Sequence, residues 1–186
     1  MATQSFAPLN REEFILVSKL EAAERQLDQA ILLFFGKGDQ VSTHTLAAAA
    51  YQIISDICKH KRIEREIEDS KLLDDLGIKR ELLASIRKPQ NFFKHADNDP
   101  EQKVRLKPFL TVCNIMSSVQ YMLKLRSKPT PECEVFRAWF FLQIPECTPP
   151  GIKATTGANK VSIDTSDYQL FLETIDFHRK GGAVAA

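Results

Sequence analysis

Glycine and proline are scarce in this chain, seven and nine among 186 residues, which excludes collagen-like and linker-dominated designs. Cysteine is scarcer still. Cys58, Cys113, Cys133 and Cys147 show no C-x-x-C spacing and have no histidine at zinc-knuckle distance. Neither a structural zinc site nor a dense disulfide framework is expected. No apolar run, Ala30 to Phe35 included, is long enough to cross a bilayer, and the first residues lack a basic stretch followed by an apolar one. The expectation is a reduced, cytoplasmic setting with no membrane contact. Charge of one sign is missing too. The chain carries 25 basic and 24 acidic residues, a formal net charge of +1, which argues against a surface that coats nucleic acid throughout but leaves room for a local patch. What remains, 44% hydrophobic and 26% charged, is ordinary globular usage, enough for one well-cored domain with an appendage.

Three- and four-residue periodicity dominates the pattern. Asn10, with Glu13 three residues on, predicts a capped first helix. Its stripe is Leu16, Leu20, Ala23, Leu27, Ala30, Ile31 and Phe34, and Gly36 is expected to end it in a left-handed cap. A second helix over 42–59 carries Leu46, Ala49, Ala50, Ile53, Ile54 and Ile57, with the alanine run permitting close helix approach. The charge-dense stretch 59–69 reads as a solvated helix end or connection. A short turn over 72–77 precedes a helix over 80–87, which either kinks at Pro89 or restarts there to run over 90–96. Asp97-Asn98-Asp99-Pro100 marks a turn. Helices follow from Pro108 to Leu123 and over 132–143; after Pro145 comes a loop-like arm, a last amphipathic helix over 168–177 and a frayed tail over 181–186.

No segment alternates apolar and polar residues, so the fold class is all-α: an up-and-down bundle of five or six helices over 10–143. Residues 144–186 form an arm and terminal helix that pack on the bundle or on a partner subunit. The expected core is Leu20, Leu27, Ile31, Leu46, Ile53, Ile57, Leu83, Val112, Ile115, Val119 and Trp139.

Glycine-rich phosphate loops and the G-x-S-x-G elbow are absent, and no histidine has a glutamate three residues upstream, which removes the helical di-iron reading. No cofactor and no metal are expected. His95, Asp97, Asp99 and Glu101 are the nearest approach to a metal set, but the turn already accounts for two of the acids. Cys113 reads as a small buried hydrophobe, and Phe136, Trp139, Phe140 and Phe141 as core or an exposed partner site.

The densest polar constellation runs over 85–97. Between Lys79 and Lys107 the balance is +4, against −3 for the rest of the chain, which points an anionic partner at this segment. On a helix, Arg87, Asn91 and His95 recur at one-turn steps with Lys88 and Lys94 at the flanks. Histidine can trade protons near neutrality, and arginine or lysine can steady a phosphoryl oxygen. Those parts suffice for metal-free RNA cleavage through the ribose 2′-hydroxyl, which DNA lacks. The same residues also admit a structural reading, in which Phe92 and Phe93 anchor the helix and His95 bonds a backbone carbonyl.

An all-α chain with Asn91-x-x-x-His95 late in its main domain resembles the HEPN superfamily, whose signature is arginine, four to six residues, then histidine, often with asparagine directly after the arginine. The resemblance implies a helical bundle that dimerises with itself so that both motifs face a shared cleft. Many members are endoribonucleases of toxin and defence systems; others are non-catalytic. Carried onto this chain, it makes His95 the acid–base, lets Arg87 or Lys88 steady the phosphate and Asn91 orient it, and places Gln90 and Lys94 at the substrate RNA. Gln90 stands where the family has arginine, and seven residues separate Arg87 from His95. The alternative is a non-catalytic interaction or adaptor module that uses the same basic face, with the C-terminal arm as a route to a protein partner.

Overall fold

The computed structural model describes residues 14–95, 100–149 and 163–182. The expected Asn10–Glu13 cap, most of the Asp97–Pro100 turn, the arm over 150–162 and residues 183–186 of the tail lie outside them. The described residues form seven α-helices and no strand: α1 (Lys19–Phe35), α2 (Gln40–His60), α3 (Lys71–Asp75), α4 (Lys79–Lys94), α5 (Pro108–Leu125), α6 (Pro131–Gln143) and α7 (Tyr168–Arg179). The chain is all-α.

Helix α1 starts later than the apolar stripe suggested. Residues 14–18 are not helical, and Leu16 is 90% exposed. The start is set by a capping box, in which Ser18 Oγ accepts from the Glu21 N–H at 3.2 Å and Glu21 Oε2 accepts from the Ser18 N–H at 2.8 Å. The helix end also differs. Gly36 keeps an ordinary φ of −73°, while Lys37 takes the left-handed φ of 52°. Glycine at 36 is needed for a different reason, since a Cβ there would approach the Leu32 carbonyl oxygen to 2.9 Å.

Short connections make α1 and α2, and likewise α5 and α6, antiparallel neighbours. Helices α1 and α2 pack through Ala23, Leu27, Ala30 and Ile31 against Ala47, Ala50 and Ile54, and α2 also packs on α5 through Ile115, Val119 and Met122. Of the expected core, Leu27, Ile31, Val112, Ile115, Val119 and Trp139 are buried. Leu20, Leu46 and Ile53 sit at the core's edge, and Ile57 and Leu83 are half-buried. The buried stripe of α2 is rotated from the expected one. It runs through His44, Ala47, Tyr51, Ile54, Ser55 and Cys58, because polar groups on that face find partners inside.

Helix α4 continues unbroken through Pro89, which is buried on the side facing α2. Proline there removes one helical hydrogen bond, the one that would reach the Ser85 carbonyl, and packing must hold the helix through the gap. An aromatic cluster joins α1, α6 and α7. Phe34 meets Trp139 at 4.8 Å, and Phe35 stacks on Phe171 at 5.2 Å between ring centroids. The aromatic residues of α6 therefore divide: Phe136 and Trp139 are buried, and Phe140 and Phe141 pack at the rim.

Candidate functional site

Helix α4 presents two unlike faces. Ile86, Pro89 and Gln90 are buried, Leu83 and Phe93 are half-buried, and Arg80, Arg87, Lys88, Asn91 and Lys94 are exposed. Arg87 and Asn91 are one turn apart on the open face. Gln90 does not join them: at 6% exposure it lies on the packed side, away from any ligand that Arg87 or Asn91 would touch. The helix ends at Lys94, and His95 follows in extended backbone, φ −131° and ψ 134°. His95 is exposed, but it leaves the chain's helical path and does not continue the Arg87–Asn91 face.

The connection between α2 and α3 holds a group that the charge pattern had assigned to solvent. The Glu68 carboxylate is drawn half into the bundle. Its Oε1 accepts from Tyr51 Oη at 2.7 Å and Ser55 Oγ at 2.8 Å, and its Oε2 accepts from Tyr121 Oη at 3.1 Å. Burial pushes this carboxyl up, but the hydroxyl donors together pull harder, and it ends below its ordinary range. Burial and the adjacent Glu68 push both tyrosines well up, so they stay protonated donors. Arg65 closes the assembly, bonding Asp69 Oδ2 through Nε at 3.0 Å and Oδ1 through a terminal nitrogen at 2.6 Å. The charge of Arg87 also reaches Tyr51 and opposes that rise. The cluster fixes the segment that leads into α3 and α4, and so sets where the basic face of α4 stands.

A second carboxylate lies between α1 and α6. Asp28 Oδ1 accepts from Thr130 Oγ1 at 2.7 Å, and Thr130 also caps α6 through the Cys133 N–H. Burial raises the Asp28 carboxyl, and Glu132 and Glu24 nearby add to the rise, taking it to about 7. Arg126 pairs with Glu24 at 2.8 Å, and Arg179 of α7 pairs with the buried Glu132. Glu24 is thus tied across the bundle to the end of α5.

The core's remaining reactive groups are quenched. Burial lifts the Cys113 and Cys58 thiols and takes Cys133 up to about 12, so none is an activated nucleophile. Burial holds His44 below its usual range and therefore neutral; its ring meets Phe93 of α4 edge-on at 6.1 Å. No group of three or more metal-ligating side chains occurs among the described residues, and none of their helices is long and apolar enough to cross a membrane. The chemistry open to a partner in this part of the molecule is the exposed cationic face of α4. Compared with protein-family models, with curated proteins and with solved structures, the chain matches none.

Proposed function

We propose that the protein is a helical interaction module that binds RNA along the open face of α4. The observation that supports this is a stripe. Arg80, Arg87 and Lys94 recur at seven-residue spacing on the exposed side, with Asn91 between them and Lys88 beside them. At about 1.5 Å per residue the three cations stand roughly 10 Å apart. A straight row of cations on a convex helix suits a polyanion better than a small substrate, which needs walls around it. Arg87 and Lys88 enter no ion pair among the described residues, so their charge is available.

Fluorescence anisotropy with a labelled single-stranded RNA tests the reading. Replacing Arg80, Arg87 and Lys94 together by alanine should weaken binding at least about tenfold and flatten the salt slope by about 2. Equal affinity in the triple variant would remove it.

Metal-independent RNA cleavage is the second reading, favoured by exposed Arg87 and Asn91 one turn apart on α4 and by exposed His95 in the extended residue just past its end. It carries the HEPN-like expectation of a homodimer whose two motifs share a cleft, and with it a defence-type role. Mixed tRNA and messenger RNA incubated in excess chelator should be cut by the native chain and left intact by His95→Ala. No cleavage by either protein leaves the binding module alone, and sedimentation as a 21 kDa monomer removes the shared cleft.

A further inference from the structure

Where α1, α2, α5 and α7 meet, the fold leaves a cavity of about 240 Å³, separate from the α4 stripe. One wall is apolar, built of Leu33, Phe34 and Pro108 with the ring of Tyr168; the other brings Lys37, Gln40, Thr43 and Thr111. The left-handed φ at Lys37 turns the chain at the cavity's edge and leaves the ammonium 5.8 Å from the centre of the Tyr168 ring. Gly38 lets that turn close over Leu33, whose Cδ2 would lie 2.8 Å from any Cβ at 38.

Thr111 gives the cavity a buried hydroxyl. It is 5% exposed, and its Oγ1 lies 2.9 Å from Nδ1 of the fully buried His44. A neutral imidazole has one N–H, and Nε2 of His44 has no partner. A buried orphan N–H is the costlier arrangement, which puts the proton on Nδ1, donated to Thr111. Thr111 thus accepts from His44 and keeps its own O–H, for which the described residues supply no acceptor. Helix α5 also begins here without a side-chain cap. The neighbouring groups are already engaged: Thr43 Oγ1 donates to the Asp39 carbonyl at 2.7 Å, and the Asp39 carboxylate accepts from the Ser42 N–H at 2.8 Å.

One ammonium among uncharged polar groups, opposite an apolar, partly aromatic wall, matches a single negative charge on a flat apolar body. A phosphate monoester would bring close to two charges into a lining with one cation. We propose that this cavity binds a small aromatic carboxylate.

The full chain titrated by calorimetry and by protein-observed NMR with benzoate, indole-3-acetate, benzyl alcohol and inorganic phosphate tests this. At least one of the two carboxylates should saturate at about millimolar concentration or below, with benzyl alcohol about tenfold weaker and phosphate without effect. Lys37→Asn, a residue that tolerates the left-handed backbone, should weaken the carboxylate about fivefold, and Thr111→Val should do the same while Thr111→Ser binds as the native chain does. Lys37→Asn is an exposed change, so it reads out even where Thr111→Val fails to fold. No saturation by either carboxylate at about 20 mM, equal affinity for benzyl alcohol or phosphate, or unchanged binding in Lys37→Asn would each overturn the proposal.

Discussion

Glu68 and Asp28 are both carboxylates drawn into the bundle, and their surroundings drive them to opposite protonation states. Glu68 meets three hydroxyl donors, from Tyr51, Ser55 and Tyr121, and stays ionised below its ordinary range. Asp28 meets one hydroxyl donor, Thr130, a weak thiol donor, Cys133, at 4.0 Å, and two acids, Glu24 and Glu132, and its carboxyl rises to about 7. Burial raises both. The number of donors and the sign of the neighbours decide which way each group goes. One carboxylate works as an anchor; the other is a strain that the fold carries.

Linkage gives the two sites opposite pH arms. Glu68 has a depressed folded pKa, so its contribution is present above its ordinary value of 4.5 and is lost as pH falls through the folded value. Asp28 has a raised one, so its contribution is full below 3.8 and is lost as pH rises towards about 7. From these two groups, stability should be greatest at about pH 4, where the Glu68 contribution is nearly complete and the Asp28 contribution has only begun to fall.

Removing the anchor should have the largest effect. Glu68→Ala leaves two tyrosine hydroxyls and a serine without their acceptor and should cost about 3 kcal/mol at pH 7 by urea denaturation, with the acid arm flattened. A loss under about 0.5 kcal/mol would mean that water replaces the carboxylate at no cost. Relieving the strain comes next. Asp28→Asn keeps an acceptor for Thr130 and should stabilise the protein by roughly 2 kcal/mol at pH 8, with little change at pH 4, which removes the basic arm. Equal gains at both pH values would show that ionisation of Asp28 is not the cause. Thr130→Ala takes away the α6 cap and the hydroxyl donor to Asp28; a cost of about 1.5 kcal/mol is expected, with the basic arm moved to higher pH. The smallest change separates the two tyrosines. Tyr51→Phe, which loses a 2.7 Å bond, should cost about 1 kcal/mol, and Tyr121→Phe, which loses one at 3.1 Å, somewhat less. For a chain of this size that is a melting-temperature shift of about 2–4 °C.

Much of the helical layout was legible in the chain. Pro108 and Pro131 sit in the first turn of α5 and α6, where the missing N–H costs nothing. The stripe Val112, Ile115 and Val119 predicts a buried face, and it is buried. Differences gathered at the ends and breaks of helices. Asn10 and Glu13 read as the capping box that opens the first helix, whereas α1 opens at the Ser18–Glu21 box, and Phe14, Ile15, Leu16 and Val17 before it are exposed. Pro89 reads as a kink or as the start of a fresh helix, and burial of Ile86, Pro89 and Gln90 against α2 carries α4 through it as one helix. The same packing takes Gln90 from the candidate site, whereas Arg87, Lys88, Asn91 and Lys94 are where helical spacing put them, on the open face.

By itself the sequence determined the all-α class, most helix spans and the cationic segment on α4, since each depends on residues within a few turns of one another. Only the tertiary structure decided which charges face inward. Glu68 bonds Tyr121 across 53 positions, Arg179 pairs with Glu132 across 47, and His44 meets Thr111 across 67. No periodicity records such pairs. They form because burial strips water from each group, and the partner that replaces it comes from whichever helix packing has brought alongside.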